Sequence, residues 1–135
     1  MSDFVPGYPG NLPDVSQSTL HGLLGSGGIS PGVLRRVCDY IETHLEGNIG
    51  LQELAGIAGL STSHFGRAFK QSKGVTPHRY LTQRRVQRAL ELLAGTELAF
   101  SEIAIAAGFA DQSHFCRQFR KLVGATPSRY RWSTR

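Results

Sequence analysis

Apolar residues recur along most of this chain at the 3.6-residue spacing of helices, and no segment alternates in the manner of a strand. The spacing becomes sustained after Ser30-Pro31, a capping residue followed by a proline suited to a first helical turn. From there Val33, Leu34, Val37, Ile41 and Leu45 predict a helix with Gly47 as its stop. A short helix is expected from about 51 to 58, with Leu51, Leu54, Ala55 and Ala58 inward, and another from about 62 to 73, closed by Gly74. Thr76-Pro77 opens a longer helix, about 77 to 94, that can bury Tyr80, Leu81, Val86, Leu90 and Leu93. Helices at about 100 to 107 and 111 to 123 and a last turn after Thr126-Pro127 complete an all-α fold of about seven helices. Residues 1 to 30, with Pro6, Pro9 and Pro13 and no sustained period, read as a flexible tail or linker with a short helical turn around Leu20 to Leu24.

The pattern repeats. Leu54-Ala55 and Ala58-Gly59-Leu60 match Ile103-Ala104 and Ala107-Gly108-Phe109 at an offset of 49. After one extra residue in the second turn, the offset is 50. Ser63-His64-Phe65, Arg67, Phe69, Gly74, Thr76-Pro77 and Arg79-Tyr80 then match Ser113-His114-Phe115, Arg117, Phe119, Gly124, Thr126-Pro127 and Arg129-Tyr130. Each copy is a short apolar helix, a glycine-containing turn and a second helix carrying cations, the outline of a helix-turn-helix. Ala55, Ala58 and Gly59, like Ala104, Ala107 and Gly108, let two helices cross closely at the corner.

Composition narrows the function. The 135 residues carry 15 Lys+Arg against 10 Asp+Glu, for a formal charge of +5. No membrane-length apolar run or signal peptide is present, which places the protein in the cytoplasm. Cys38 and Cys116 lie far apart and suggest neither a disulfide framework nor a thiolate metal site. The cations are uneven. Residues 61 to 90 hold seven and residues 112 to 135 hold six, both without an acid, while residues 1 to 34 hold none. Two basic blocks are either two footprints on a polyanion or two solvated helix faces.

On the second helix of each unit, residues three and four apart share a face. Ser63, Gly66, Arg67 and Lys70 fall on one face, and Phe65, Ala68, Phe69 and Ser72 on the inward one. In the second copy Ser113, Cys116, Arg117 and Arg120 are outward beside Gln112, and Phe115, Phe119 and Leu122 inward. Arg67 and Arg117 suit guanine O6 and N7, and Gln112 suits adenine. Either arginine could instead pair with a phosphate or a carboxylate, and Gln112 could simply start its helix. Lys70, Lys73, Arg79, Arg120, Lys121 and Arg129 fit phosphate positions, with Thr62 beside them. His64 and His114 either touch phosphate or act as polar fillers.

The segment AGFADQSHFCRQFRKLVGATPSRYR at residues 107 to 131, within a match from about Val33 to Tyr130, resembles the C-terminal DNA-binding domain of the AraC/XylS family of bacterial transcription regulators. The resemblance implies two homeodomain-like helix-turn-helix subdomains, at 51 to 73 and 100 to 123, joined by the linker helix at 77 to 94. Both recognition helices would enter successive major grooves. An 18-residue linker helix of about 27 Å suits the roughly 34 Å of one DNA turn. Carried over by position, base contacts fall on Ser63, Gly66 and Arg67, and on Gln112, Ser113, Cys116 and Arg117. Gly66 has no side chain to read a base, and Ser63 offers only a short contact. Cys116 is either an oxidation-sensitive thiol on the DNA face or a small filler.

The expected function is a sequence-specific regulator of double-stranded DNA, by family habit an activator, with RNA polymerase as a candidate second partner. As a domain alone it would act as a monomer on an asymmetric site. The alternative is an all-α protein-interaction adaptor with weak or non-specific DNA binding. With no Ser/His/Asp set, no glycine-rich phosphate loop and no i, i+4 histidine pair, neither an enzyme nor a cofactor or metal site is expected. The leader has no room for a sensor, so the chain resembles either a stand-alone member or the DNA-binding part of a longer protein.

Overall fold

The structure, a computed structural model, describes residues 28–135. Of the tail expected over residues 1 to 30, residues 1 to 27, with the turn near Leu20 to Leu24, lie outside the described residues. Seven helices and no strand occur among the described residues: α1 (Pro31–Thr43), α2 (Leu51–Ala58), α3 (Thr62–Lys73), α4 (Pro77–Gly95), α5 (Phe100–Ala107), α6 (Gln112–Val123) and α7 (Pro127–Ser133). The all-α expectation is met. The described residues form two compact units, one of residues 28–44 together with 48–81, the other of residues 45–47 and 82–135.

In the first unit α1 buries Val37 and Ile41, while Val33 and Leu34 are only half-buried. Ser30 sits at the N-cap position, yet its hydroxyl accepts no bond; its carbonyl starts the ladder by accepting from Leu34 N–H at 2.9 Å. The helix ends at Thr43, four residues before the glycine expected to stop it. Ile29, placed in the leader by composition, is buried, and its N–H donates to Ser72 Oγ at 2.7 Å. Phe65 and Phe69 of α3 pack with ring centroids 5.6 Å apart, and Tyr80 meets Phe69 edge-on at 5.5 Å. Leu51 is a correction to the inward set: it stays 44% exposed, and Ala58 is only half-buried.

The second unit repeats the plan. Phe115, Phe119 and Tyr130 form the corresponding edge-on series at 5.6 and 6.0 Å, over a core that includes Val86, Leu90, Leu93 and Ile103. Local signals recur at the same places because the same termini need them. Ser61 Oγ and Asp111 Oδ1 accept from His64 and His114 N–H, at 3.2 and 2.8 Å, at the starts of α3 and α6. Thr76 and Thr126 do the same for α4 and α7. Glu53 and Glu102 reach back to the N–H of Gly50 and Ala99, which themselves lack a capping oxygen, so only half of a capping box forms. Both inter-helix corners close through a left-handed glycine, Gly59 and Gly108, with Leu60 and Phe109 N–H donating to the carbonyls of Ala55 and Ala104.

Candidate nucleic-acid interface

Burying a phenylalanine removes far more apolar surface from water than any other choice along α3 and α6, so Phe65/Phe69 and Phe115/Phe119 fix which face of each helix turns inward. The opposite face follows from geometry. On α3 it holds Ser63, His64, Arg67 and Lys70, all exposed, with Thr62 and Gly66 half-buried between them and the rest of the unit. On α6 it holds Gln112, Ser113, Arg117, Arg120 and Lys121, all exposed. No acid lies on either helix. Lys70 and Lys73 on α3, and Arg120 and Lys121 on α6, occupy last turns, where cations also favour the helix dipole. Arg79 and Arg129, in the first turns of α4 and α7, are exposed.

Three candidates sit differently from the rest. Cys116 is half-buried and packs against the core of the second unit, so its sulfur fills space at the helix base rather than projecting. The His114 ring lies edge-on to Phe109 at 5.5 Å, and its Nδ1 is enclosed with no partner among the described residues, whereas His64 is exposed. Lys73 holds its ammonium 5.2 Å from the Tyr80 ring centre, a cation-π contact that draws it back toward α4.

Several cations of the basic blocks have partners within the fold. Arg85 turns its Nε to the Leu45 carbonyl at 3.1 Å and its Nη2 to the Gly47 carbonyl at 2.8 Å. Arg131 does the same for Leu93 and Thr96, at 3.2 and 3.1 Å. Arg131 thus closes the C-terminal end of α4, and Arg85 the turn that follows α1. Burial lowers the Arg85 pKa, yet an arginine stays charged. Arg88 lies 3.8 Å from Glu46, and Arg135 pairs with Glu97. Arg85, Arg88, Arg131 and Arg135, all within the two basic blocks, therefore have partners in the fold, which no local pattern of residues reveals. Among the described residues, no group of three or more His, Cys, Asp and Glu could hold a metal, and no helix is long and apolar enough to cross a membrane.

A family model described as a helix-turn-helix domain matches residues 54–133, well over half of the chain. The chain belongs to the AraC-type helix-turn-helix family. Among solved structures, an AraC-type transcriptional regulator from Chromobacterium violaceum is 28% identical with a TM-score of 0.71, the match covering 76% of this chain and 92% of that one. The DNA-binding domain of AdpA, a global transcriptional factor solved in complex with a target DNA, is 29% identical with a TM-score of 0.71, covering 74% and 90%. The probable transcriptional regulator LumQ of Photobacterium leiognathi is 39% identical over 75 residues, 56% of this chain but only 30% of LumQ. The chain thus corresponds to under a third of that relative's length, and its own duplicated units are the AraC-type part.

Proposed function

We propose that the chain binds double-stranded DNA sequence-specifically and regulates transcription as an activator, with RNA polymerase as its second partner. The observation that carries this reading is the duplication of one outward face: α3 and α6 are acid-free, are aimed away from their cores by paired phenylalanines, and each offers an arginine at the same position, Arg67 and Arg117. The DNA complex of the similar AdpA domain supports it.

In this reading each recognition helix enters a major groove. Arg67 and Arg117 take the base contacts, joined by Ser63, Gln112 and Ser113. Gly66 allows close approach, and Cys116 supports the helix from beneath. Lys70, Arg79, Arg120, Lys121 and Arg129 hold phosphates, with Thr62 and His64 at the start of α3. Lys73 and His114 stand at the margin, because their contacts with Tyr80 and Phe109 compete with DNA. No catalytic group or cofactor enters.

A gel-shift and protection assay on selected duplexes tests this. The expected site covers two successive major grooves, and each arginine-to-alanine change weakens the selected duplex by about 1–3 kcal/mol while sparing random DNA. Uniformly non-specific binding, untouched by Arg67→Ala with Arg117→Ala, would overturn it in favour of a protein-interaction module.

A further inference from the structure

Within the first unit, α2, α3 and the first turn of α4 enclose a mostly apolar groove of about 560 Å³. Small-molecule sites run roughly 300–1,000 Å³. Leu54 and Leu81 lie at its buried side, Leu51 at its exposed rim, and Gly66, Arg67 and Lys70 form the α3 wall.

The duplicate unit explains why it is open. Gly66 corresponds to Cys116, Leu51 to Phe100 and Leu81 to Arg131. In the second unit Cys116 and Phe100 pack against the core, and the Arg131 guanidinium lies 5.2 Å over the Phe100 ring. In the first unit a Cβ on Gly66 would meet nothing within 4 Å, and Leu51 stays 44% exposed, because Leu81 is too short and uncharged to cover it as Arg131 covers Phe100. A hollow of about 340 Å³ persists beside Phe100, but there Glu97 answers the arginines and pairs with Arg135. No acid lines the larger groove.

We infer that this groove binds a small amphiphile, an apolar tail bearing one carboxylate, and that the bound amphiphile excludes DNA from α3. The leucines take the tail. The carboxylate meets Arg67 and Lys70, three residues apart on one face, with the guanidinium fork matched to its two oxygens. A neutral apolar molecule would leave both cations unanswered, and a polyanion could not follow the leucines inward. Since these two cations also serve the DNA reading above, the exclusion rests on that reading, while the binding does not; the two ligands weaken each other equally.

Decanoate and decanol, titrated into the full chain without DNA by calorimetry and amide NMR, decide the binding. Decanoate should saturate one site, with shifts centred on Leu51, Leu54 and Gly66, and decanol should bind at least about fivefold more weakly. Gly66→Leu, which fills the groove, and Leu51→Glu, which sets a like charge at its rim, should each weaken decanoate at least about tenfold. If Gly66→Leu fails to fold, Leu51→Glu on an exposed side chain still decides. In a labelled-duplex competition, saturating decanoate should raise the apparent Kd for DNA at least about tenfold. No saturable binding at millimolar decanoate, equal affinity for decanol, indifference to both variants, or a duplex held equally tightly with the groove occupied would overturn the inference. Concentration-dependent shifts of the same amides without decanoate would give the groove to a second copy of the chain and overturn it too. A chain that bound no duplex at all would refute the DNA reading, with the DNA-free titration still deciding the groove.

Discussion

A Cβ placed on Gly108 would stand 2.0 Å from the Leu45 carbonyl oxygen, the same oxygen that accepts from Arg85 Nε. Gly108 also has a φ of +100°. Its duplicate, Gly59, has a φ of +70° but open space where a side chain would go. The two alanine substitutions therefore separate backbone strain from steric exclusion. Gly59→Ala should lose about 1–2 kcal/mol, the left-handed penalty alone. Gly108→Ala should add overpacking to that strain and lose at least about 3 kcal/mol, because the obstacle is a backbone oxygen that cannot turn aside. Urea unfolding of both variants checks the order; equal losses would mean that the Leu45 carbonyl yields.

The Arg85 fork closes the carbonyls of Leu45 and Gly47 together. Arg85→Met keeps the length of the side chain and its apolar stem but leaves both oxygens without their charged donor, at a cost of about 1–3 kcal/mol. Arg85→Lys should recover less than half of this, since one ammonium cannot meet two carbonyls from a planar fork. Thermal unfolding of the pair tests it: full rescue by lysine would show that charge alone, not geometry, holds the turn after α1.

Sequence made the repeat, the seven helices and the inward aromatic faces legible because each rests on a local rule: a cap three residues before its N–H partner, a glycine at a left-handed corner, phenylalanines four apart. Relationships across the chain were not legible. Arg85 and Arg131 read as two more cations in basic blocks, since nothing local says that a guanidinium will meet carbonyls 35 to 40 residues away in sequence. Leu51 read as core because its spacing is right; its exposure depends on what covers it, and Leu81 lacks the reach that Arg131 has in the duplicate. Within the repeat, the differences between Gly66 and Cys116, Leu51 and Phe100, and Leu81 and Arg131 were the available hints that the two units pack differently beneath their outward faces.

The Tyr40 hydroxyl donates to Glu53 Oε2 at 2.6 Å. That bond, with a smaller contribution from Gly50 N–H, lowers the Glu53 pKa from its usual 4.5, and the same bond raises the Tyr40 pKa from 10.0. A carboxyl whose folded pKa is depressed stabilises the fold above its unfolded value, and that contribution is lost as pH falls through the folded value. The tyrosine's share is complete below its ordinary value and is lost as pH rises through the raised one. Tyr40→Phe should therefore lower the unfolding midpoint slightly at neutral pH and flatten its decline below about pH 5. Both groups are exposed, so the effect is small and should shrink in high salt. Parallel wild-type and Tyr40→Phe curves across the acid limb would show that the bond does not persist in solution.

Salt dependence should sort the cations by the partner each one already has. A lysine or arginine that meets a DNA phosphate releases counterions, and its removal lowers the slope of log K against log salt by about 1. Lys70 and Arg120 are exposed on the outward faces of α3 and α6, so Lys70→Gln and Arg120→Gln should each show this drop with little change in stability. Arg131 is held by the carbonyls of Leu93 and Thr96 and stacks over Phe100. Arg131→Gln should do the reverse, destabilising the second unit by about 1–3 kcal/mol while leaving the slope nearly unchanged. Binding isotherms at four or more salt concentrations, with unfolding curves for the same variants, make the comparison. A slope that falls by 1 for Arg131→Gln and not for Lys70→Gln would mean that DNA meets the protein on the side of α7 and not along α3.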